Sequence, residues 1–590
     1  MRRTKIICTL GPATSSREMI LKLVLAGMNV ARVNLSHGNH EEHRKLINIV
    51  KDVRSELGIP LAIMLDTKGP EIRICDINPL SVVCGQRIRF VKVFEVLGEI
   101  PISPFSVIDQ MNVGMNVLIN DGYIQGVVVA IGNDFVEIEI HNDGIIKKNN
   151  GVVIPDVIFD IPDITESDMV DIRFGCKEGV EIVAASFINS AKQLLAIKEF
   201  ISNECKSKII VIAKIESRRG VDNFDEILQV ADGIMVARGD LGLEFPIARV
   251  PTLQKKIIEK SNCWAKPVIT ATQMLESMIT NPLPTRAEVS DVANAIYDST
   301  SAVMLSAESA IGKYPVEAVK MMHNIIIESE MNYNYIEYLK REKKNTNKDI
   351  QFALALAAVN ISYSIEATAI VVCSLGGHTV RRICCNRPKA LILVVTPSTY
   401  TYHQTSIMWG TEAVMEKVDE IEKGLQDILS FALKKKWVNY GDQILVTMGR
   451  PYGVSLTTNT LMIESVGNVV VRGESMRDKS LEPIVGEVYI LTDCESTNDN
   501  ISNKIVVATL ILKKYIPFLK NAKGIILQNH HLDVQSEQLL QQLYDLKKIP
   551  FISKVDGATF LLKNKMQVRL HPSQGLVFNA SAPTYAEMLT

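Results

Sequence analysis

Between residues 5 and 306 short β-type runs alternate with helical patterns, and this alternation limits the fold more than any other feature. The runs cover 5–10, 29–34, 61–66, 182–187, 209–214, 233–237, 267–272 and 302–306. Repeated βα units make a parallel sheet, and eight of them is the number that closes a (β/α)8 barrel. Such a barrel carries its functional groups at the C-terminal ends of its strands, so the residues closing each run matter most.

After the second run come Arg32, Asn34, Ser36 and His37; after the third, Asp66, Thr67, Lys68 and Glu71. The fifth and sixth end in Lys214, Glu216, Arg238 and Asp240, the seventh in Thr272 and Gln273, and the eighth in Ser306 and Glu308. Alternation along an extended chain puts Lys214 and Glu216 on one side of their strand. There the ammonium suits an anionic substrate and the carboxylate a hard cation. Asp240 supplies a second carboxylate, and two hard oxygen ligands with room for water and phosphate is how Mg²⁺ is usually held. Gly239 allows a backbone N–H to approach an anion. Any one of these residues could equally be a surface ion pair at a strand end; six polar ends converging on one face argue for a site. Thr285 and Glu288 read instead as a capping box, and Thr165 to Asp168 as a weaker one.

The rest of the chain divides around this barrel. The expected catalytic domain covers 1–69 and 157–330. Residues 70–156 are an insertion with short β-type runs at 87–93, 116–119, 123–131 and 135–140 and Asn-Asp-Gly turns at 120–122 and 142–144. This predicts a small β-barrel hung over the mouth as a lid. A charged stretch at 340–349 marks a boundary, and 331–471 returns to a three-layer α/β pattern with runs at 369–373, 390–396 and 443–447. Its Gly376-Gly377 turn between strand and helix can cradle a phosphate or simply start the helix. Residues 472–590 form a last α/β module, with runs at 488–492, 504–508, 524–527, 551–554 and 566–569.

Composition excludes several classes. A net charge of −2 gives no argument for a nucleic-acid partner. No apolar run approaches the roughly 18 residues of a membrane span. Met1-Arg2-Arg3 is not followed by an apolar stretch long enough for a signal peptide. The ten cysteines are scattered without a CxxC, and the adjacent Cys384 and Cys385 read as buried small hydrophobes. The expectation is a reduced, cytoplasmic enzyme.

Taken together, KIICTLGPAT (5–14), GMNVARVNLSHG (27–38), LDTKGPEIR (65–73), AKIES (213–217), DGIMVARGDLG (232–242), ITATQMLESM (269–278) and PTRAEVSDVANAIYD (284–298) resemble the motifs of the pyruvate kinase family. The resemblance is strong over the barrel, clear over 350–472 and loose over 70–156. It implies transfer of the phosphoryl group of phosphoenolpyruvate to ADP, giving pyruvate and ATP, the last step of glycolysis. Position by position, it implies Glu216 and Asp240 as ligands of Mg²⁺ or Mn²⁺, and Asn34, Ser36, Asp66 and Thr67 as the K⁺ site, with Glu71 the type found in K⁺-dependent members. Lys214, Arg32, Thr272 and Glu308 are implied as catalytic, with Ala237, Arg238, Gly239 and Asp240 joining Arg32, Lys214 and Thr272 around the substrate. Asn34, His37 and Arg73 are implied for nucleotide. A homotetramer and a sugar-phosphate effector near 374–379 are further expectations. A barrel enzyme making carbon–carbon bonds from the same substrate, and a non-catalytic homologue, are the alternatives; the lid and the joint presence of Lys214 and the K⁺ residues stand against the first, and the intact catalytic set against the second.

There are departures from the family pattern. Asn150 stands where a lysine is usual, leaving Lys147 or Lys148 to substitute; Asn189 replaces a basic residue, Ala307 a glycine, and Gly376 a serine. Residues 472–590 resemble the extra C-terminal domain of some bacterial members, which is similar to a mobile phosphohistidine domain. Its reactive loop would align with 528–535, where His530 and His531 fall on glycine positions and Gln535 near the histidine. A structural or regulatory module is therefore expected, not a phosphohistidine carrier.

Overall fold

The computed structural model describes residues 2–91, 99–155, 162–205, 208–342, 349–416, 421–449, 458–467, 469–476, 478, 480–491 and 501–580. Two compact units are formed, one from 1–363, 370–425 and 447–461, the other from 364–369, 426–446 and 462–590.

The first unit contains a closed eight-stranded barrel of β1 (Lys5–Leu10), β2 (Val30–Asn34), β3 (Ala62–Asp66), β4 (Ile182–Ala185), β5 (Ile210–Ile215), β6 (Gly233–Ala237), β7 (Val268–Ala271) and β8 (Ala302–Leu305). Neighbours in the barrel are neighbours in sequence, and every pairing is parallel. The strands read as continuous apolar runs because both faces are covered. One alternating set, including Ala213, Ile215, Ile63, Leu65, Val183 and Val236, packs outward against the helices. Lys214 lies on the opposite alternation from Ala213 and Ile215, and so do Arg32 relative to Ala31 and Val33, and Asp66 relative to Leu65. The pleat therefore turns these three charges into the barrel mouth. The expected runs match these strands to within one or two residues at each end.

The insertion forms a second closed barrel of seven strands, in the order 135–140, 87–91, 99–103, 72–74, 151–153, 116–119 and 124–131, with a separate two-stranded antiparallel sheet, 80–82 with 144–146. Its core is apolar and mostly aliphatic, with Ile88, Ile100, Val117, Val136 and Ile138 around Phe90. Four of its strands (72–74, 80–82, 144–146 and 151–153) have only three residues each and do not stand out in the sequence; the five-residue strand 99–103 also goes unread there. Strands Ala369–Cys373 (from Ile370 on in this unit), Leu391–Thr396 and Thr411–Met415 lie side by side with helices between them.

The second unit holds a mixed seven-stranded sheet in the order 469–472, 576–579, 567–571, 484–490, 504–508, 524–527 and 551–552. Its last four strands are parallel and apolar, with Ile505, Val507, Ile526 and Ile552 on one face and Val506, Ala508, Ile525 and Leu527 on the other. The segment 528–535 is the connection from a strand into the helix Val534–Lys547, capped by the Asp533 carboxylate. His530 and His531 are exposed there with ring centroids 6.2 Å apart. No described helix is long and apolar enough to cross a membrane.

Candidate active site

The centre of the site is the buried ammonium of Lys214. Its Nζ donates to Asp66 Oδ1 at 3.0 Å and to Ser186 Oγ at 2.7 Å, and lies 2.9 Å from Glu216 Oε1. Arg32 approaches Asp66 from the next strand, with Nε 2.7 Å from Oδ2 and Nη1 2.8 Å from Thr9 Oγ1. The parallel pairing sets Asn34 beside Asp66 and Asp66 beside Ala184, so one carboxylate is shared between two cations from different strands. Burial alone would push the Asp66 carboxyl up, but Arg32 and Lys214 together hold it below the usual carboxylate range. Burial likewise opposes the charge on Lys214, and Asp66 and Glu216 outweigh it, leaving the ammonium harder to deprotonate than a free lysine.

The connection after β4 organises both partners. Ser186 Oγ accepts from Lys214 and donates to Thr67 O at 2.7 Å, while Phe187 N donates to Glu216 Oε2 at 2.6 Å. Phe187 does this from a left-handed backbone, φ 52°. Gly69, at the exit to the lid, crosses this corner so closely that a Cβ would come 2.8 Å from Ser186 Cβ, at φ +70°. Ser186, Phe187 and Thr9 are participants that the sequence alone does not single out; the only signal is a serine closing an apolar run and a threonine inside another.

Asp240 follows β6 at the start of the short helix Arg238–Glu244. Burial, and then the Glu216 carboxylate beside it, push its carboxyl up to about 8. Glu71 is raised by burial too, with Glu216 adding and Arg73, with which it forms an ion pair, subtracting. Two carboxylates brought together in the mouth, one forced toward its protonated form by burial and then by the other, is the donor set a hard divalent cation relieves, so Glu216 and Asp240 fit such an ion. Asn34 and Asp66 stand opposite each other at the ends of β2 and β3, with Ser36 and Thr67 just beyond: Ser36 N donates to Asn34 Oδ1 at 3.1 Å and Thr67 N to Ala184 O at 3.0 Å. A set of neutral oxygens with one carboxylate already neutralised suits a monovalent ion.

Thr272 and Gln273 are both left-handed, φ 63° and 54°. Thr272 Oγ1 accepts from Gly239 N at 2.9 Å. Arg238, expected at the substrate through its backbone, has its guanidinium engaged by the protein: it donates to Thr272 O at 2.6 Å and to Asp291 Oδ1 and Oδ2 at 2.8 and 2.6 Å. It secures the left-handed loop at Thr272 and Gln273. Glu308, expected among the catalytic groups, is 2% exposed, and its two oxygens take Leu275 N at 3.0 Å and Ser306 N at 2.7 Å. The carboxylate thereby ties together the connections after β7 and β8.

His37 and Arg73 lie together at the lid side. The His37 imidazole is pushed down by burial and then by Arg73 and Arg32. Arg73 Nη1 bonds Asn149 O at 2.9 Å. Asn150 is turned inward on its own loop, Nδ2 to Asn120 Oδ1 at 2.8 Å and Oδ1 from Lys147 N at 2.7 Å. Lys148 pairs with Asp76 at 3.0 Å.

Comparison with known proteins matches residues 1–319 to a family model described as pyruvate kinase, barrel domain, and residues 353–464 to one described as pyruvate kinase, alpha/beta domain. The chain is 39% identical to a protein of Staphylococcus epidermidis and 39% identical to one of Staphylococcus aureus, both named pyruvate kinase. Each alignment covers 99% of this chain and 100% of the relative, so the last module is part of what is shared.

Proposed function

The chain belongs to the pyruvate kinase family, and from that premise we propose how its own residues carry the reaction. It is a phosphotransferase that converts phosphoenolpyruvate and ADP to pyruvate and ATP, and the family implies a divalent metal. The observation that carries the assignment of residues is Lys214 held between Asp66, Glu216 and Ser186 at the barrel mouth.

In this reading Glu216 and Asp240 hold Mg²⁺ or Mn²⁺, and Asn34, Ser36, Asp66 and Thr67 hold K⁺. Bound there, the ions supply positive charge to the phosphoryl and carboxylate oxygens and fix their orientation. Phosphoryl transfer otherwise asks the protein for positioning and charge neutralisation. Lys214 and Arg32 point two fixed cations at the phosphoryl group, and their shared counter-ion Asp66 keeps both from moving. The bond from phosphorus to the enol oxygen breaks as an ADP oxygen bonds to phosphorus, leaving an enolate that takes a proton on carbon. Backbone at Ala237, Arg238 and Gly239 receives the substrate carboxylate. Thr272 Oγ1, which rests on Gly239 N, is released by that carboxylate to face the enolate and support proton delivery. Asn34, His37 and Arg73 receive the nucleotide. Glu308 and the Arg238 side chain are positioning residues.

The domain division 1–69 with 157–330, 70–156, 331–471 and 472–590, a cytoplasmic homotetramer, and a sugar-phosphate effector at 374–379 belong to the same proposal. For the effector, Gly377 at φ 73° has its N–H on Ser374 Oγ at 3.1 Å, and burial with Arg381 and Arg382 pushes the His378 imidazole down to about 4. Arg381 and Arg382 bring positive charge to that turn, with Asp232 and Asp349 as partial counter-ions. The test is a coupled assay of pyruvate formation with divalent metal, with and without K⁺ and with added sugar phosphate. Turnover requiring both cations supports the ligand sets; turnover indifferent to K⁺ removes the second of them.

A further inference from the structure

Cys176 and Cys205 occupy the last turn of one barrel helix, Glu166–Glu178, and the C-cap of the next, Ala191–Glu204. They flank β4 on the barrel's outer layer. Their Sγ atoms are 2.8 Å apart, closer than unbonded sulfur atoms ordinarily pack and within easy reach of a covalent bond of about 2.0 Å. Both side chains are half-buried, so a small oxidant can reach them while the surrounding helices hold them together. The adjacent Cys384 and Cys385 differ: they sit in helix His378–Cys385, buried as the sequence suggested.

We propose that Cys176 and Cys205 form a reversible modification site, closing to a disulfide that clamps the two helices beneath β4. The inference does not rest on the catalytic assignment. The oxidant is a small-molecule disulfide. The Cys205 thiolate attacks one of its sulfurs and expels a small thiolate, and the Cys176 thiolate then attacks the resulting mixed disulfide at Cys205 and expels the second. Two protein thiols lose two protons and two electrons, and two small thiols gain them. Cys176 Sγ donates its hydrogen to Cys205 Sγ, which leaves Cys205 as the sulfur to attack first. The site lies at the end of the barrel from which β4 and β5 start, away from the strand C-termini, so the consequence falls on stability and not on chemistry.

The experiment treats the full chain with oxidised glutathione, alkylates the remaining thiols, and maps unreduced peptides by mass spectrometry. The expected result is a peptide pair joined through Cys176 and Cys205, two hydrogens lighter, reversed by dithiothreitol. The melting temperature of the barrel transition should rise by about 3–10 °C, with kcat and KM within twofold, and Cys176→Ser and Cys205→Ser should each abolish the rise. Glutathione left on either cysteine, or no 176–205 link while other thiols react, overturns the proposal. Since the peptide map is made on the unaltered chain, a poorly folding variant does not protect it, and a chain without pyruvate kinase turnover could still pass it.

Discussion

Lys214→Met isolates the charge at the centre of the site. Methionine keeps most of the apolar stem and removes the ammonium that meets Asp66 at 3.0 Å, Glu216 at 2.9 Å and Ser186 at 2.7 Å. At an effective dielectric near 20, each ion pair at that separation carries roughly 5–6 kcal/mol of Coulomb attraction before desolvation is subtracted. Removing one member of a buried pair costs about 3–5 kcal/mol in practice. Here Asp66 keeps Arg32 at 2.7 Å and Glu216 keeps the Phe187 N–H at 2.6 Å, so the loss in stability should fall near the lower end, about 3 kcal/mol. The effect on chemistry is separate. Charge on the phosphoryl oxygens is spread most widely in the transition state, so an ammonium aimed there acts mainly on turnover. A loss of about 4 kcal/mol corresponds to roughly a thousandfold in kcat. Arg32 remains to bind the phosphate, so KM for phosphoenolpyruvate should move less than tenfold. The measurement is initial rate of pyruvate formation over a substrate series, with circular dichroism to show that the variant is folded. A kcat within about fivefold of the parent, or an effect confined to KM, would refute the reasoning.

Glu308→Ala strands the N–H groups of Leu275 and Ser306 in a site that is 2% exposed. It should lower stability by about 2–4 kcal/mol in urea denaturation, and a change below about 0.5 kcal/mol would show that the two N–H groups find other acceptors. The buried His403 accepts from Leu61 N at 3.3 Å, and burial pushes its pKa down to about 3. The unfolded chain therefore binds a proton near pH 6.5 that the folded chain refuses, so this residue's contribution is complete above pH 6.5 and is lost as pH falls toward 3. His403→Gln should flatten the fall in melting temperature below pH 6.5, and an unchanged slope would count against it. Asn150→Lys, which breaks the contact with Asn120 and puts a cation at the lid edge, should lower KM for ADP severalfold with kcat little changed; an unaltered KM means that the lid supplies no cation to the nucleotide.

How much of the molecule is legible in its sequence depends on how locally each feature is determined. Barrel strands are buried on both faces, so they read as apolar runs whatever surrounds them, and Lys214 and Glu216 share a side because a strand's alternation needs no tertiary information. The lid is only half visible: strands of three residues such as 72–74 and 151–153 hold their place through pairing with distant partners, which leaves little local trace. Among the site residues, type alone says least about where a side chain points. Arg238 and Glu308 are charged residues at strand ends, as Lys214 and Glu216 are, yet one guanidinium faces Asp291 and one carboxylate faces two backbone N–H groups. Charge type tells what a group can bind; only the packing of the next connection tells which way it points. Ser186 escapes notice for the converse reason, since a serine carries no signal until an ammonium is found 2.7 Å from it.

The left-handed residues share one logic. Phe187, Thr272 and Gln273 each hold a positive φ without being glycine, which costs of order 1 kcal/mol or more apiece. In each case the unusual backbone delivers a peptide group to a charged side chain: Phe187 N to Glu216, and the carbonyls of Thr272 and Gln273 to Arg238 at 2.6 and 3.1 Å. Hydrogen bonds to charged groups are worth about 1.5–3 kcal/mol, enough to offset strain of that size. The charges that hold the loops are in turn oriented by them, so neither persists without the other. Such reciprocity suits a site that must present cations and carboxylates side by side: if Glu216 were fixed only by Lys214, a ligand drawing on either charge would loosen both. With the Phe187 N–H fixed by the turn after β4, Glu216 keeps one oxygen anchored while its other oxygen, and Lys214 with it, is free to be shared with what binds.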